Sequence, residues 1–463
     1  MSFFWFLFFS AHLAIATSLV QLEENDLRHK LGGGMYLSLY HVKSLDPSLK
    51  SNSKPPFSYS DILKKDQDRV RYIQSKLTNK VDAKSSDGSL EPKLVSTPLR
   101  SGLSIGSGNY YVNVGLGTPP KYFSMIVDTG SSLSWLQCKP CAVFCHSQVD
   151  PIFDPSTSKS YKTLPCSSTQ CSSLKASTLN DPGCSTSAKA CVYKASYGDS
   201  SFSIGYLSQD LLTLGSSETI PSFVYGCGQD NQGLFGRAAG ILGLANDKLS
   251  LIGQLSNKNG YGFSYCLPTS FSSANSSKEG FLSVGTSSFP QSSSYKFTPL
   301  INNPKIHSLY FVELTAITVA GKPLGVSASS YKAPTIIDSG TVITRLPMSV
   351  YTALSNTFVK ILSKKYAQVP GFSILDTCFK GSLKDLSSAV PEIEIVFEGG
   401  ANLPLKAENT LLEIETGTTC LAIAGSPDDS NPIAIIGNFQ QQTFTVAYDV
   451  ANSKVGFAPS GCQ

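Results

Sequence analysis

The stretch Phe123-Ser124-Met125-Ile126-Val127-Asp128-Thr129-Gly130-Ser131 ends an apolar, strand-like run with an acid, a hydroxyl residue, a glycine and a second hydroxyl residue. The same order returns 210 positions later as Thr335-Ile336-Ile337-Asp338-Ser339-Gly340-Thr341. One Asp-Ser/Thr-Gly is a common turn signal. Two copies, one in each half of the chain, indicate a duplicated fold that brings Asp128 and Asp338 together. Such a pair is the minimum equipment for acid–base activation of a water molecule.

The neighbours of the two acids repeat as well. Gly130 and Gly340 allow a tight turn, so backbone N–H groups can approach the carboxylates. Ser131 and Thr341, three positions after each acid, can donate to them and fix their orientation. An apolar-apolar-Gly element follows in each half, Ile241-Leu242-Gly243 and Ile435-Ile436-Gly437, suited to a buried strand behind the turn. The first half alone adds Trp135, seven residues after Asp128, and Tyr197-Gly198-Asp199 within a Gly- and Ser-rich, hairpin-like segment reaching Leu207.

The rest of the chain sets the frame. Its 463 residues exceed a single small core and predict two or more lobes. Short apolar runs rich in Val, Ile, Tyr and Phe, with plentiful Gly, Pro and Ser, predict an all-β architecture with a few short helices. Tyr110–Val114 alternates as a strand, and Ser308–Val319 and Thr443–Asp449 also read as strands. Val350, Leu354, Phe358 and Ile361 recur at helical spacing over 347–364, with Pro347 opening the first turn. Asp61–Leu77 reads as a charged helix with Ile62, Val70 and Ile73 as its few apolar anchors. The Ser-rich stretch 268–294 reads as a loop and holds a glycosylation sequon at Asn275.

Charge and cysteine usage divide the chain. The net charge of +4 comes entirely from residues 1–100, with 14 Lys+Arg against 10 Asp+Glu; residues 101–463 hold 23 of each. A neutral body has no global field to gather nucleic acid. All 12 Cys lie from Cys138 onward, seven of them between Cys138 and Cys191, and read as six disulfides formed in an oxidising compartment. Zinc is the competing reading of Cys138-x-x-Cys141, and a secretory route disfavours it. Residues 1–16, an apolar core followed by Ala14-Ile15-Ala16, read as a signal peptide, although they lack the usual Lys or Arg. No later segment is apolar and long enough for a helical membrane span, and Gly461-Cys462-Gln463 carries no hydrophobic anchor tail. The expected organisation is a signal peptide at 1–16, a removable pro-segment at 17–100, with 79–98 as linker, an N-terminal lobe at 101–300 and a C-terminal lobe at 301–463. The mature start is expected near Arg100–Ser107.

At this point the chain resembles the pepsin-like aspartic proteases. The likeness rests on both Asp motifs, both apolar-apolar-Gly elements, Trp135 and Tyr197, and spans essentially all of 109–463. The cysteine count and the absence of room for a helical saposin-like insert point to the nepenthesin-type branch of plants. The resemblance implies a bilobal fold with a central cleft and an endopeptidase, made as a zymogen, in which Asp128 and Asp338 activate water. It further implies that Thr129 and Ser339 brace the two acid loops against each other. Gly130, Ser131, Gly340 and Thr341 would orient the carboxylates, and Tyr197, supported by Trp135, would close over the substrate. The same resemblance implies the pairings Cys138–Cys141, Cys145–Cys227, Cys166–Cys191, Cys171–Cys184, Cys266–Cys462 and Cys378–Cys420, which spacing alone cannot select. No metal or cofactor is called for, polypeptides are the expected substrates, and a secreted or vacuolar monomer is expected ahead of a plastid protein.

Other chemistries lack their parts. After residue 100 the His residues are His146 and His307, with no His-Glu-x-x-His run. Gly102-Leu103-Ser104-Ile105-Gly106 spells a serine-hydrolase motif but precedes the first strand instead of joining strand to helix. The alternative on the same fold is a catalytically silent inhibitor or binding protein, and both acids being present argues against it. DNA association, a third class, is disfavoured by the neutral body. The basic segment 17–100 is expected to pair with carboxylates near the cleft and to let go in acid.

Overall fold

The computed structural model describes residues 35–41, 59–78, 108–197, 201–215, 218–233, 235–259, 261–269, 280–285, 294–459 and 462. The expected signal peptide, the linker 79–98, the mature start and the Asn275 sequon lie outside them.

Each acid is delivered by the same strand arrangement. Lys121–Asp128 runs parallel to Gly240–Gly243, which runs antiparallel to Trp135–Gln137, which in turn lies parallel to residues 226–228. In the second half Thr335–Ile337 runs parallel to Ala434–Ile436, antiparallel to Thr344–Leu346, which lies parallel to Ile423–Gly425. The apolar-apolar-Gly elements are thus the central strands behind both acid turns. Their glycines are forced by close approach. A Cβ on Gly243 would sit 2.6 Å from the carbonyl oxygens of Ser131 and Ser132, and one on Gly437 would sit 2.6 Å from that of Val342. Any side chain there would push the acid loop out of place.

The molecule is mostly β, in two lobes, as the composition predicts. A continuous sheet joins them: Phe263–Cys266 pairs with Thr445–Asp449, and Lys296–Pro299 pairs with Lys454–Ala458. Phe263, Tyr265, Tyr310 and Tyr448, all buried, stack at this junction, with Phe263 and Tyr448 centroids 4.5 Å apart. The helix Met348–Leu362 follows Pro347 and buries Val350, Tyr351, Leu354, Phe358 and Leu362, while Ile361 is only half-buried. Strands Phe311–Val312 and Leu314–Val319 fall within the expected 308–319, and Thr445–Asp449 within the expected 443–449. Within the Ser-rich stretch, however, Gly280–Val284 is a wholly buried strand, because its Phe281, Leu282 and Val284 are apolar enough to join the sheet.

The basic N-terminal segment is built into this body. Met35–His41 inserts between Gly280–Val284 and Tyr110–Leu116 as an antiparallel strand. Tyr59–Thr78 is the expected helix, one residue longer at its C-terminus and two at its N-terminus. Ile62, Leu63, Val70 and Ile73 are buried at helical spacing, and so are the polar Asp66 and Gln74. Val70 and Ile73 pack on Ile306, Leu309, Ile336 and Ile435, and Leu63 packs with Ile343 and Leu375. The helix therefore covers the second acid strand.

The disulfides correct part of the expected framework. Cys266–Cys462 and Cys378–Cys420 are present. The expected Cys138–Cys141 and Cys145–Cys227 are instead Cys138–Cys227 and Cys141–Cys145. The cause is register: Cys227 faces Leu136 across a parallel pair, putting it beside Cys138, whereas Cys145 faces Asn231. Four strand steps separate Cys227 from Asn231, about 13 Å, which no disulfide spans. The expected Cys166–Cys191 and Cys171–Cys184 are likewise Cys166–Cys184 and Cys171–Cys191. Cys171 lies on the buried face of the helix Thr169–Thr178 and meets the buried Cys191, leaving the exposed Cys184 for Cys166. Non-reducing peptide mapping by mass spectrometry is expected to recover Cys138–Cys227 and Cys171–Cys191, and to find neither a Cys138–Cys141 nor a Cys166–Cys191 peptide.

Candidate active site

The two acid turns meet at the lobe junction. Thr129 N–H donates to Ser339 Oγ at 3.1 Å, and Ser339 N–H donates to Thr129 Oγ1 at 2.9 Å. This reciprocal pair braces the loops as the resemblance implies. Each carboxylate is then held alike. Gly130 N–H donates to Asp128 Oδ1 at 2.9 Å and Ser131 Oγ to Oδ2 at 2.5 Å. Gly340 N–H donates to Asp338 Oδ1 at 3.0 Å and Thr341 Oγ1 to Oδ2 at 2.6 Å. Asp128 and Asp338 are 1% and 0% exposed, so these donors are needed to keep buried acids in place.

Trp135 and Tyr197 also come together here. Trp135 Nε1 donates to Tyr197 Oη at 2.6 Å, and Phe235 packs edge-on against both rings. Tyr197 stands at the end of the hairpin strand Cys191–Ser196, which pairs with Phe202–Leu214. Residues 198–200, including Gly198 and Asp199, lie outside the described residues. Burial pushes the Tyr197 hydroxyl well up, against smaller opposing effects of Trp135 and Ser131, so it stays protonated.

Arg69, on the helix Tyr59–Thr78, fills the space between the carboxylates. Its Nη2 donates to Asp128 Oδ1 at 2.7 Å and to Asp338 Oδ1 at 3.1 Å. Nη1 donates to Asp128 Oδ2 at 3.1 Å and Nε to Asp338 Oδ2 at 2.9 Å. One planar guanidinium thus grips both acids bidentately, a geometry a lysine cannot supply. Burial alone would lower the Arg69 pKa, and the two carboxylates outweigh it and raise it. For Asp128 burial would raise the pKa, but the charge and hydrogen bonds of Arg69, with those from Ser131 and Gly130, hold it below the usual carboxylate range.

The helix is locked around this grip. Asp66, one turn before Arg69, accepts from the N–H groups of Val342 and Ile343 and lies 2.9 Å from Arg345 Nη2. Gln74 Nε2 donates to Ser426 Oγ at 3.2 Å and to the Asp428 carbonyl at 2.8 Å. Lys305 Nζ donates to the Leu77 carbonyl at 3.0 Å, closing the helix C-terminus.

Sequence reasoning located every member of the braced dyad and missed Arg69, Asp66 and Gln74. Counting apolar anchors on a charged helix passes over the polar residues that dock it. A second missed signal was readable. A hydroxyl recurs six positions after each acid, and Gly243 N–H donates to Ser134 Oγ just as Gly437 N–H donates to Thr344 Oγ1, both at 3.0 Å. Cys138 and Cys141 are each consumed in a disulfide, which answers the zinc reading.

The family descriptions "Xylanase inhibitor N-terminal" and "Xylanase inhibitor C-terminal" match residues 110–286 and 309–459. An aspartyl protease family protein of Arabidopsis thaliana is 44% identical over 408 residues, covering 87% of this chain and 82% of its own. Aspartic proteinase nepenthesin-2 of Nepenthes gracilis is 36% identical, covering 86% of this chain and 85% of its own. The chain belongs to the pepsin-like aspartic protease family of plants. Among solved structures the fold is shared with the basic 7S globulin of soybean, with a TM-score of 0.60 at 23% identity, covering 76% of this chain and 94% of that one. Conglutin gamma from lupine seeds gives 0.58 at 21% identity, covering 76% and 91%. The pepsin-like frame is therefore shared with these solved structures.

The depressed Asp128 pKa fixes the sign of a pH effect on the helix Tyr59–Thr78. Docking is fully favoured once the pH exceeds the value at which the undocked pair gives up its shared proton, and is lost as the pH falls from there through the depressed value. Each proton taken up weakens docking about tenfold per pH unit. Hydrogen exchange of amides 59–78, corrected for the intrinsic rate, is expected to be slow at pH 7 and to approach the unprotected rate below about pH 4.

Proposed function

We propose that this chain is an aspartic endopeptidase made as a secreted zymogen, with Asp128 and Asp338 as the catalytic pair and residues 17–100 as the removable segment. The observation that carries this reading is the matched restraint of the two carboxylates, each fixed by a Gly N–H and an i+3 hydroxyl on mutually braced loops. Arg69 Nη2, touching Oδ1 of both acids, occupies the point where a bridging water would lie once the helix leaves.

The chemistry follows from the electrostatics. Without Arg69, two buried carboxylates this close cannot both ionise readily, so the pair holds one proton and titrates as a unit. The ionised member takes a proton from the bridging water as its oxygen attacks the peptide carbonyl carbon. The protonated member donates to the carbonyl oxygen. The resulting diol collapses as the leaving nitrogen is protonated, with no covalent enzyme intermediate. Ser131 and Thr341 hold the carboxylates at the required angle, and Tyr197, steadied by Trp135, covers the bond and limits water entry. With Arg69 in place every oxygen of the two carboxylates already accepts from the guanidinium, so neither acid can donate to a substrate and the docked chain is latent. Arg69 stays charged at every working pH, so the trigger lies in the carboxylates. This supports release and self-processing in acid, in an extracellular or vacuolar setting, on polypeptide substrates.

The second reading, a silent binding protein, is favoured by the inhibitor wording of the matched family descriptions. The intact, oriented dyad and an arginine devoted to blocking it favour the enzyme, since a silent cleft has no need of a plug. Peptidase assay after acid treatment at about pH 3–5, with and without a pepstatin-like inhibitor, separates them. Inhibitable cleavage is expected, falling about a thousandfold or more in Asp128→Asn and in Asp338→Asn. Protein that stays inert once residues 17–100 are removed would contradict the enzyme reading. In the same experiment N-terminal sequencing is expected to place the new start beyond the helix Tyr59–Thr78. Full activity with the segment still attached would contradict the zymogen reading.

A further inference from the structure

Arg345 is fully buried, and its electrostatic partner among the described residues belongs to the segment expected to leave. Its Nη2 lies 2.9 Å from Asp66 Oδ2, both side chains being 0% exposed. That contact is an ion pair without hydrogen-bond geometry: Nη1 donates to the Ile343 carbonyl at 3.1 Å, and neither Nε nor Nη2 makes a hydrogen bond among the described residues. Asp66 accepts from two donors, the N–H groups of Val342 and Ile343, one on each carboxylate oxygen. Two converging N–H donors and one guanidinium charge form a cradle for a carboxylate.

The cradle opens on the catalytic cleft. Asp66, Arg69, Asp128, Tyr197, Gly340 and Val342 line one cavity. Asp66 precedes Arg69 by three helical residues, about 4.5 Å along the axis. When the helix leaves, the cradle loses its carboxylate, while Arg345 keeps its charge, because a guanidinium does not deprotonate in proteins. A buried cation that has lost its anion favours whatever anion the cleft admits. An extended peptide advances about 3.3 Å per residue, so a carboxylate reaching the cradle belongs to a residue within about three positions of the scissile bond.

We propose that Val342, Ile343 and Arg345 form a carboxylate-binding subsite that makes the mature enzyme prefer an acidic residue at one fixed position on one side of the cleaved bond. Asp66 occupies this subsite in the zymogen just as Arg69 occupies the dyad, so the helix copies two features of a substrate complex with one face. The inference rests on the endopeptidase reading. The carboxylate could come from an Asp or Glu side chain or from the substrate's own C-terminus, and the test separates these.

The experiment is a peptide-library digest by the acid-treated full-length protein at about pH 5, where Asp and Glu side chains are ionised. It is followed by kcat/KM for matched peptides with Glu or Gln at the enriched position, each with a free or amidated C-terminus. Enrichment of Asp and Glu at one position, with a Glu/Gln ratio of about tenfold or more that survives amidation, is expected for a side-chain subsite. A preference abolished by amidation assigns the same cradle to the chain terminus. The Glu/Gln ratio is expected to fall to about one in Arg345→Met and to be partly kept in Arg345→Lys. Taking the ratio within each preparation makes it independent of how much protein folds. Should Arg345→Met yield no folded protein, the wild-type ratio and Arg345→Lys decide alone. Cleavage with no acidic preference in the wild type, or a ratio unchanged in Arg345→Met, overturns this inference and leaves the protease reading standing. Absence of any cleavage overturns both.

Discussion

Two buried carboxylates facing each other across the lobe junction are the constraint on which this structure depends. Isolated, such a pair is electrostatically unfavourable and must either share a proton or hold a cation. The fold supplies donors to each acid, from Gly130 and Ser131 on one side and Gly340 and Thr341 on the other. It locks the two loops together through Thr129 and Ser339. The parallel strands Gly240–Gly243 and Ala434–Ile436 then fix the loops from behind, and Gly243 and Gly437 leave no space for a side chain. Arg69 completes the balance by placing one positive charge between two negative ones.

That arrangement explains why a basic segment precedes a neutral body. Its excess charge is not a diffuse field but includes one arginine placed at one point, held there by the buried apolar face of its helix and by Asp66 and Gln74. Opposite pH responses are built into the two polar grips. Acid weakens the hold of Arg69, because Asp128 is depressed by it. Asp66 behaves in the other sense. Burial raises its pKa against the pull of Arg345 and the two N–H donors, so its protonation is easier in the docked state and does not drive release. Under the proposed function the dyad is the acid sensor and Asp66 the positional key.

Much of this was legible in the sequence, for reasons that can be named. A duplicated motif reports its own symmetry, so the acids, their i+3 hydroxyls and the apolar-apolar-Gly strands could be located by counting. Trp135 and Tyr197 followed from the resemblance, Trp135 by its place seven residues after Asp128 and Tyr197 by its Gly- and Ser-rich, hairpin-like segment. The cysteine pairing was not legible, because it depends on the register of residues 226–228 against Trp135–Gln137, which spacing does not encode. The strand Gly280–Val284 was hidden by the serines around it. Arg69 was hidden more deeply. On a helix carrying Lys64, Lys65, Arg71 and Lys76 as well, no local feature marks which cation will be buried. Only the shape of the cleft selects it.

The account's central claim is that the Arg69 guanidinium binds the dyad only when both acids are ionised, whereas the open dyad holds a proton. Proton uptake or release on docking tests this most directly. The acid-released N-terminal segment can be returned to the processed protein at about pH 5, in calorimetric titrations using two buffers of different ionisation enthalpy. The account predicts net proton release on binding, approaching one proton per complex, and its loss when Arg69→Met segment is used. Binding of the wild-type segment with no proton exchange at any pH between about 4 and 6 would contradict it.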